Sequence, residues 1–316
     1  MDSISATIDE VVSLETTVRD HINTHRYQIA LIQNSNTWNQ ICSSLDVIGD
    51  TLLAVRSYFS AEYPEDRGLR YIYTYGLLQS LFVQQDALTN LAEAFSIQYE
   101  TSADLLEIRG LRNAAIGHPT KQVEKGTRYY NYISRMSMSQ HGFELLRHSE
   151  SLPFRLERVD IRDLATKQLA DIKLGLVKVS EILREIDQEH RGKFMQEPLS
   201  DIFHSTMGYS FEKISEGVHS GTSGNREFGL SMARSVRKTY EKFQTALDNR
   251  NELNEYTKFD LDEYFHAINR LIQYLSSTEG PLEEFDARIY ISYMCHEHER
   301  FVQIAKEIDE EYSKEA

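Results

Sequence analysis

A histidine and an arginine that lie close together in the sequence are the residues of this chain best suited to chemistry. Arg112, Asn113 and His118 fall within about two helical turns, inside the stretch 107–119. A histidine can take up or release a proton near neutral pH. An arginine stays charged and binds phosphate oxygens through its fork of N–H donors. The amide of an asparagine can orient either a phosphate or an imidazole.

The arginine and the histidine can share a pocket only if the helix that carries them ends before the histidine. On an unbroken helix, positions 112 and 118 point roughly 120° apart, at about 100° per residue. Pro119 disfavours helical backbone at His118, and Gly117 suits the left-handed turn that closes many helices. We therefore expect the helix to end at Gly117, so that the imidazole can swing back toward the guanidinium of Arg112.

A proton-transfer group beside a phosphate-binding group, without an acidic partner, suits the cleavage of RNA by its own 2′-hydroxyl group. The histidine would activate the hydroxyl, and the arginine would neutralise the charge that develops on the phosphate. The helix dipole favours the charged form of His118, whereas Arg112 disfavours it. The alternative is an ordinary helix end, at which His118 caps backbone carbonyls and Arg112 pairs with Glu107 or Asp104.

The segment Arg112-Asn113-Ala-Ala-Ile-Gly-His118 resembles the signature motif of the HEPN superfamily: an arginine, a polar residue and then a histidine near a helix end. The resemblance covers about residues 38–190, and only the motif is specific. It implies an all-helical bundle that dimerises and places two motifs in one cleft. It also implies a metal-independent endoribonuclease, as in toxin–antitoxin, abortive-infection and phage-defence systems. On this basis Arg112, Asn113 and His118 are the predicted catalytic residues.

The same resemblance sets the expected partners. RNA would be the substrate, and a second copy of the chain would complete a homodimer. A nucleotidyltransferase-like antitoxin is a common partner in this superfamily, but nothing in this chain resembles one, so such a regulator would be a separate protein. Some HEPN domains are inactive, and a non-catalytic helical module that binds protein or RNA is therefore the alternative function.

We expect neither a metal nor a cofactor. The histidine-rich stretch at 295–300 has two histidines only two positions apart, on different sides of a helix. The chain has no glycine-rich dinucleotide fingerprint and no Walker pattern.

The charge of the chain is distributed unevenly. The net charge of −15 disfavours general binding of nucleic acid, because phosphate is repelled by a negative surface. Residues 101–170 nevertheless carry 11 Lys and Arg against 8 Asp and Glu, while the rest of the chain carries 23 against 41. Within this mildly basic segment we predict RNA-binding roles for Lys121, Lys125 and Arg128, and weaker ones for Arg135 and Arg147. Solvated surface charge is the alternative for each of them.

Composition points to a protein of the cytoplasm. Of 316 residues only two are cysteines, Cys42 and Cys295, which does not make a disulfide scaffold. The first residues lack a basic region followed by an apolar run, so we expect no signal peptide. No run of about 18 apolar residues is present, so we expect no membrane span.

Periodic apolar residues predict a mainly all-α fold. We expect an N-terminal helix and arm over 1–37, a HEPN-like bundle over 38–192 with a small β-hairpin inserted around 127–158, and a C-terminal helical domain over 198–316. Helices are expected at about 3–24, 39–60, 69–99, 102–116, 160–190, 203–218, 225–247 and 259–275, with a last one opened by Pro281. A third strand is expected near 154–158.

Polar residues interrupt the apolar face of the helix predicted over 69–99. Gln84, Gln85, Asp86 and Asn90 lie in the middle of that helix. Exposure to solvent is the simple explanation. The alternative is that these residues support the pocket formed by Arg112 and His118.

Overall fold

The chain is mainly α-helical, with one small antiparallel sheet. The computed structural model describes residues 3–32, 34–124, 126–149, 153–219, 223–277 and 282–314. Within these ranges the helices are α1 (Ser3–Ile22), α2 (His25–Ile32), α3 (Ser35–Ser60), α4 (Arg67–Ala94), α5 (Ala103–Arg112), α6 (Ile161–Phe194), α7 (Met207–His219), α8 (Ser223–Asn249), α9 (Glu255–Ser276) and α10 (Glu284–Ser313). The strands are β1 (Gln122–Glu124), β2 (Thr127–Ile133), β3 (Gly142–His148) and β4 (Arg155–Asp160).

The prediction of a mainly helical chain with a small β insertion is confirmed, and the insertion is larger than expected. The predicted hairpin is formed by β2 and β3, and the predicted third strand is β4. A further strand, β1, precedes them. Pro281 lies outside the described residues, and the last helix begins at Glu284.

The chain divides into two compact units. The first consists of Met1–Thr24 and Leu31–Arg184, and the second of His25–Ala30 and Glu185–Ala316. The division between the large segments falls inside α6, because the residues after Arg184 make their contacts with the C-terminal helices.

Helices α3, α4 and α6 build the core of the first unit. Alternating steps of three and four residues place the apolar side chains of α3 on one face, and the same pattern recurs along α6. The buried positions include Ile41, Leu45, Ile48, Leu52, Leu81, Leu88, Leu91, Leu169, Ile172 and Leu176. Helix α6 approaches α4 closely at Gly175, where an added Cβ atom would lie 2.6 Å from the Leu88 side chain. Glycine at this position therefore permits the close packing.

The first helix packs on this core. Ile8, Val11 and Val18 are fully buried, and α1 contacts α3. Two salt bridges at the edge of this contact join Asp9 to Arg56 and Asp46 to Arg19.

The four strands form a sheet in the order β1-β2-β3-β4, with every neighbouring pair antiparallel. One face packs inward, because Phe143, Leu145 and Val159 are buried along with Asn131. Side chains alternate between faces along a strand, so the residues between them point outward.

The second unit has its own apolar core, formed by α7 to α10. Its largest fully buried side chains are Tyr240, Phe243, Tyr264 and Phe301. The rings of Tyr240 and Tyr264 are stacked with their centroids 3.8 Å apart. Throughout the described part of the chain, no helix is both long and apolar enough to cross a membrane.

Candidate functional site

The predicted motif lies at the end of α5, where the helix widens. Ser102 caps the start of α5 by accepting a hydrogen bond from the Leu105 amide at 3.1 Å. The helix continues past Arg112 as a π-helical turn over Asn113–Gly117. It closes with a hydrogen bond of 2.7 Å from the His118 amide to the Asn113 carbonyl. Such π turns occur frequently at functional sites.

The expected role of Gly117 as a left-handed helix terminator is wrong. Gly126 is the one glycine of the described residues that has a positive φ, so Gly117 does not adopt the left-handed conformation. A Cβ atom at position 117 would instead lie 2.9 Å from Nη1 of Arg112 and 3.2 Å from Oδ1 of Asn113. The glycine therefore makes room for two side chains of the motif. His118 itself leaves the helix, with φ −137° and ψ 51°, as the following proline requires.

The guanidinium of Arg112 is held by neutral groups. Its Nε and Nη2 atoms donate to Oε1 of Gln79 on α4 at 3.1 and 2.7 Å. Its Nη1 atom donates to Oδ1 of Asn113 at 3.0 Å. The group also lies over the ring of Phe82, 4.3 Å from the centroid, where the π electrons attract a cation. Asn113 thus orients the guanidinium in this structure.

No carboxylate pairs with Arg112 among the residues that the structure describes. The alternative pairing with Glu107 or Asp104 is therefore wrong, and Asp104 lies 3.9 Å from Lys167 instead. The guanidinium is half-buried, and its positive charge is not neutralised by a neighbouring side chain. Such a group attracts an anion strongly, because burial reduces solvent screening.

His118 is exposed, and its backbone lies near this charge. The contact at Gly117 places Nη1 of Arg112 within about 8 Å of the His118 Cα atom, from standard bond lengths. Within the described ranges the imidazole makes no hydrogen bond, so it does not cap backbone carbonyls as the alternative interpretation supposed. The next residue is fixed by the sheet, since the Asn131 amide of β2 donates to the Pro119 carbonyl at 2.8 Å.

A second arginine lies beside the first and connects the site to the core. Arg109 is one turn before Arg112, and its guanidinium lies 4.6 Å from the centroid of the same Phe82 ring. Its Nη2 atom donates to Asp86 at 2.6 Å, and its Nε atom donates to Oε1 of Gln85 at 3.1 Å. The charge of Arg109, unlike that of Arg112, is therefore paired with a carboxylate.

The solvent explanation for the polar residues of α4 is wrong for Gln84 and Gln85. Both are buried, at 0% and 1% exposure. Gln85 donates to Oε1 of Gln168 on α6 at 2.9 Å, and Gln168 donates to Oε1 of Gln84 at 3.1 Å and to the Leu81 carbonyl at 3.0 Å. Buried amides usually have such partners; among the described residues the Nε2 atom of Gln84 is an exception, with no hydrogen-bond partner. The chain of amides ends at Arg109, so it supports the arginine that lies beside Arg112. Asn90, in contrast, is exposed to solvent.

The predicted RNA-binding residues are spread over the sheet that follows the motif. Lys121 and Arg128 are exposed, and Lys125 lies outside the described residues. Arg135 is exposed beyond the end of β2. Arg147 lies on the inner face, where it donates to Oδ1 of Asn131 at 3.2 Å and lies over the ring of Tyr129.

Three residues of the site were missed by sequence reasoning: Gln79, Phe82 and Arg109. Their spacing carries a signal in retrospect. Gln79 and Phe82 are three positions apart on α4, and Arg109 and Arg112 are three positions apart on α5, so each pair shares one helix face. Nothing in the sequence states that these two faces meet.

The chain matches no family model, no curated protein and no solved structure. Its function must therefore be argued from the geometry of the site.

Proposed function

We propose that this protein is a metal-independent endoribonuclease of HEPN type that cleaves RNA by attack of the 2′-hydroxyl group. One observation carries the proposal. The half-buried guanidinium of Arg112 has no carboxylate partner in the described structure, and it lies against Gly117, the residue before the exposed His118. We infer that a cation and a proton-transfer group can thereby reach one phosphodiester.

The reaction follows from these two groups. His118 takes the proton of the 2′-hydroxyl as a general base, and the 2′-oxygen forms a bond to the adjacent phosphorus. The bond from phosphorus to the 5′-oxygen breaks, and that oxygen takes a proton from water, while His118 returns to its starting form by releasing its proton to the solvent. Arg112 stabilises the charge on the non-bridging oxygens, and Asn113 holds the guanidinium in place. The products are a 2′,3′-cyclic phosphate, or the 3′-phosphate after hydrolysis, and a 5′-hydroxyl. The nucleophile belongs to the substrate, so the step requires no metal.

The substrate would be held by the basic residues that follow the motif. Lys121 and Arg128 are exposed on the segment that begins three residues after His118. They would bind phosphates on one side of the scissile bond, together with Lys125. Lysine and arginine at the surface contribute such contacts without reading the sequence of the RNA.

We include a homodimer in this proposal because α4 carries an exposed apolar stripe beside the site. Ile72 is 65% exposed and lies two turns before Gln79 on the same face of the helix. Leu69 and Tyr75 are exposed on either side of it. A second copy of the chain that covers this stripe would bring a second motif toward the first. A regulator such as an antitoxin would be a separate protein.

The proposal is tested by changing the two reacting groups separately. Purified full-length protein is incubated with a mixed RNA pool, and the ends of the products are analysed. We expect Arg112→Ala and His118→Ala each to abolish cleavage while the circular dichroism spectrum stays unchanged. Arg67→Ala and His141→Ala, which change exposed residues of the same types in the same unit, serve as controls and should cleave normally. Cleavage that persists in both motif variants would reject these roles.

The second candidate is a non-catalytic helical module that binds RNA or protein. The observation in its favour is that three N–H groups of Arg112 are already engaged by Gln79 and Asn113. A guanidinium anchored in this way can hold a phosphate without any chemistry. This alternative predicts that no RNA pool is cleaved and that partner binding is unaffected by His118→Ala.

A further inference from the structure

The outer face of the sheet has a composition that is unusual for a solvent-exposed surface. Strand register places one set of side chains on the side opposite the buried core. We call this set the outer face; it consists of Val123, Arg128, Tyr130, Tyr132, Glu144, Leu146, His148, Leu156, Arg158 and Asp160.

Apolar side chains form a continuous row across this face. Tyr132 on β2 pairs with Leu146 on β3, and Leu146 pairs with Leu156 on β4. Tyr132 is 58% exposed and Leu156 is 54% exposed. The inner face buries its own apolar residues, so this row is not needed for the core. Exposed apolar rows of this kind mark binding surfaces.

Three flat rings lie at neighbouring positions of the outer face. Tyr130 and Tyr132 are two residues apart on β2, about 6.6 Å along the strand. His148 on β3 is the cross-strand neighbour of Tyr130. Cross-strand neighbours place their side chains about 5 Å apart. Aromatic side chains in such an arrangement accept stacked bases of any type, because every base has a π face.

The charge of this region repels an anion less than the charge of the rest of the chain does. The outer face itself is balanced, with Arg128 and Arg158 against the carboxylates of Glu144 and Asp160, and the Asp160 carboxylate accepts hydrogen bonds from the backbone amides of Arg162 and Asp163. Residues 119–160 as a whole hold seven Lys and Arg against five Asp and Glu, in a chain whose net charge is −15. A polyanion is therefore repelled by most of the protein and is tolerated at the sheet.

The strand that carries two of the rings is hydrogen-bonded to the residue after His118. Tyr130 and Tyr132 flank Asn131, whose amide holds the Pro119 carbonyl at 2.8 Å. The Cα atoms of His118 and Tyr132 are therefore separated by roughly 14 Å at most, from standard backbone dimensions. A chain of a few nucleotides can span this distance.

We propose that the outer face binds single-stranded RNA by stacking its bases on Tyr130, Tyr132 and His148, with Arg128 and Arg158 on its phosphates, and that it leads the strand to His118. This inference rests on the proposed function and names its substrate class. Duplex RNA is excluded from this mode of binding, since its bases are already stacked on one another.

The test measures binding without cleavage. A fluorescein-labelled single-stranded RNA with 2′-O-methyl groups cannot be cleaved by 2′-hydroxyl attack, and its anisotropy is titrated with full-length protein. We expect Tyr132→Ala and Tyr130→Ala each to weaken binding about tenfold or more. Tyr132→Phe keeps the ring and should bind within about twofold of the wild type. Tyr256→Ala, which removes a tyrosine that is 85% exposed in the second unit, is the matched control and should not weaken binding.

The outcomes separate this inference from the proposed function. If the tyrosine variants bind RNA normally while the wild type cleaves RNA, the outer face does not bind the substrate, but the proposed ribonuclease activity is supported. If RNA binding depends on the tyrosines while no RNA is cleaved, RNA binding by the outer face is supported and the proposed ribonuclease activity is rejected. Equal binding of the matching duplex would overturn the stacking mode. A change of oligomeric state in Leu156→Ser, without loss of RNA binding, would assign the face to a second copy of the chain instead.

Discussion

The guanidinium of Arg112 donates two hydrogen bonds to the side-chain oxygen of Gln79, at 3.1 and 2.7 Å. An arginine in a protein interior is usually held by a carboxylate, which also neutralises it. Here a neutral amide fixes the position of the group and leaves its charge intact. Position and charge at this site can therefore be separated by experiment.

Gln79→Glu is expected to keep the Arg112 guanidinium in place but to remove the contribution of its charge to RNA cleavage. The carboxylate retains the accepting oxygen and adds an ion pair, so the thermal midpoint should stay the same or rise. RNA cleavage should fall by at least about a hundredfold, because the paired arginine stabilises the transition state less well. Both quantities are measured on the same protein. Undiminished cleavage by Gln79→Glu would show that the charge of Arg112 is not used.

Gly117→Ala is expected to impair activity more than stability. The backbone at Gly117 is not left-handed, so alanine is not strained there. The added Cβ atom would, however, lie only 2.9 Å from Nη1 of Arg112, and the guanidinium would have to move. The end of a flexible side chain can move, and the fold should persist.

The matched control for this change is Gly110→Ala on the same helix. An added Cβ at Gly110 meets nothing within 4 Å. Alanine should therefore stabilise the protein by about 1 kcal/mol through helix propensity and leave cleavage unchanged. Denaturation curves and cleavage rates of the two variants check this contrast, and equal activity of Gly117→Ala and Gly110→Ala would contradict it.

Ile72→Asp is expected to convert a dimer to a monomer. The charge would be desolvated at the centre of the α4 stripe if a second copy covers it. Sedimentation analysis should show the wild type as a dimer and the variant at half that mass. Leu174→Asp, at a position that is 60% exposed on α6, should remain dimeric. A monomeric wild type at micromolar concentration would remove the dimer from the proposal.

His190 is expected to make the second unit sensitive to acid. Burial, followed by the positive charges of Arg26, Lys193 and Arg250, lowers the pKa of His190 to about 4. Its Nε2 atom lies 3.1 Å from the hydroxyl of Tyr312. Between pH 4 and the ordinary histidine value of about 6.5, the unfolded chain binds a proton that the folded chain does not. Stability should therefore fall as the pH decreases through this window.

His190→Gln removes this dependence and identifies its source. Urea denaturation at several pH values should show the variant gaining on the wild type as the pH falls from 6.5 to 4, with no further gain below that. Other titrating groups affect both proteins alike, so the difference between them reports on His190. A difference that does not vary with pH would contradict the lowered pKa.

The helices could be predicted because their apolar residues repeat with the helical period. The helical period places Ile41, Leu45 and Ile48 of α3 on one face, and all three are buried. The strand β1 was missed, because three residues are too short to show an alternating pattern. The glutamines of α4 were misjudged for another reason. A polar residue on an apolar face is either exposed or hydrogen-bonded to a buried partner. The partner of Gln84 and Gln85 is Gln168, which is more than eighty positions away in the sequence.

The sequence by itself determined the pieces of the candidate site. Arg112, Asn113 and His118 are close in the chain, and Pro119 forces the backbone out of the helix, because these effects are local. Only the tertiary structure decided what surrounds them. The packing of α4 against α5 supplies Gln79 and Phe82 to the guanidinium and directs Asp86 to Arg109 instead. These contacts depend on how two helices are placed relative to each other. The repeat of apolar residues along either helix does not determine that placement.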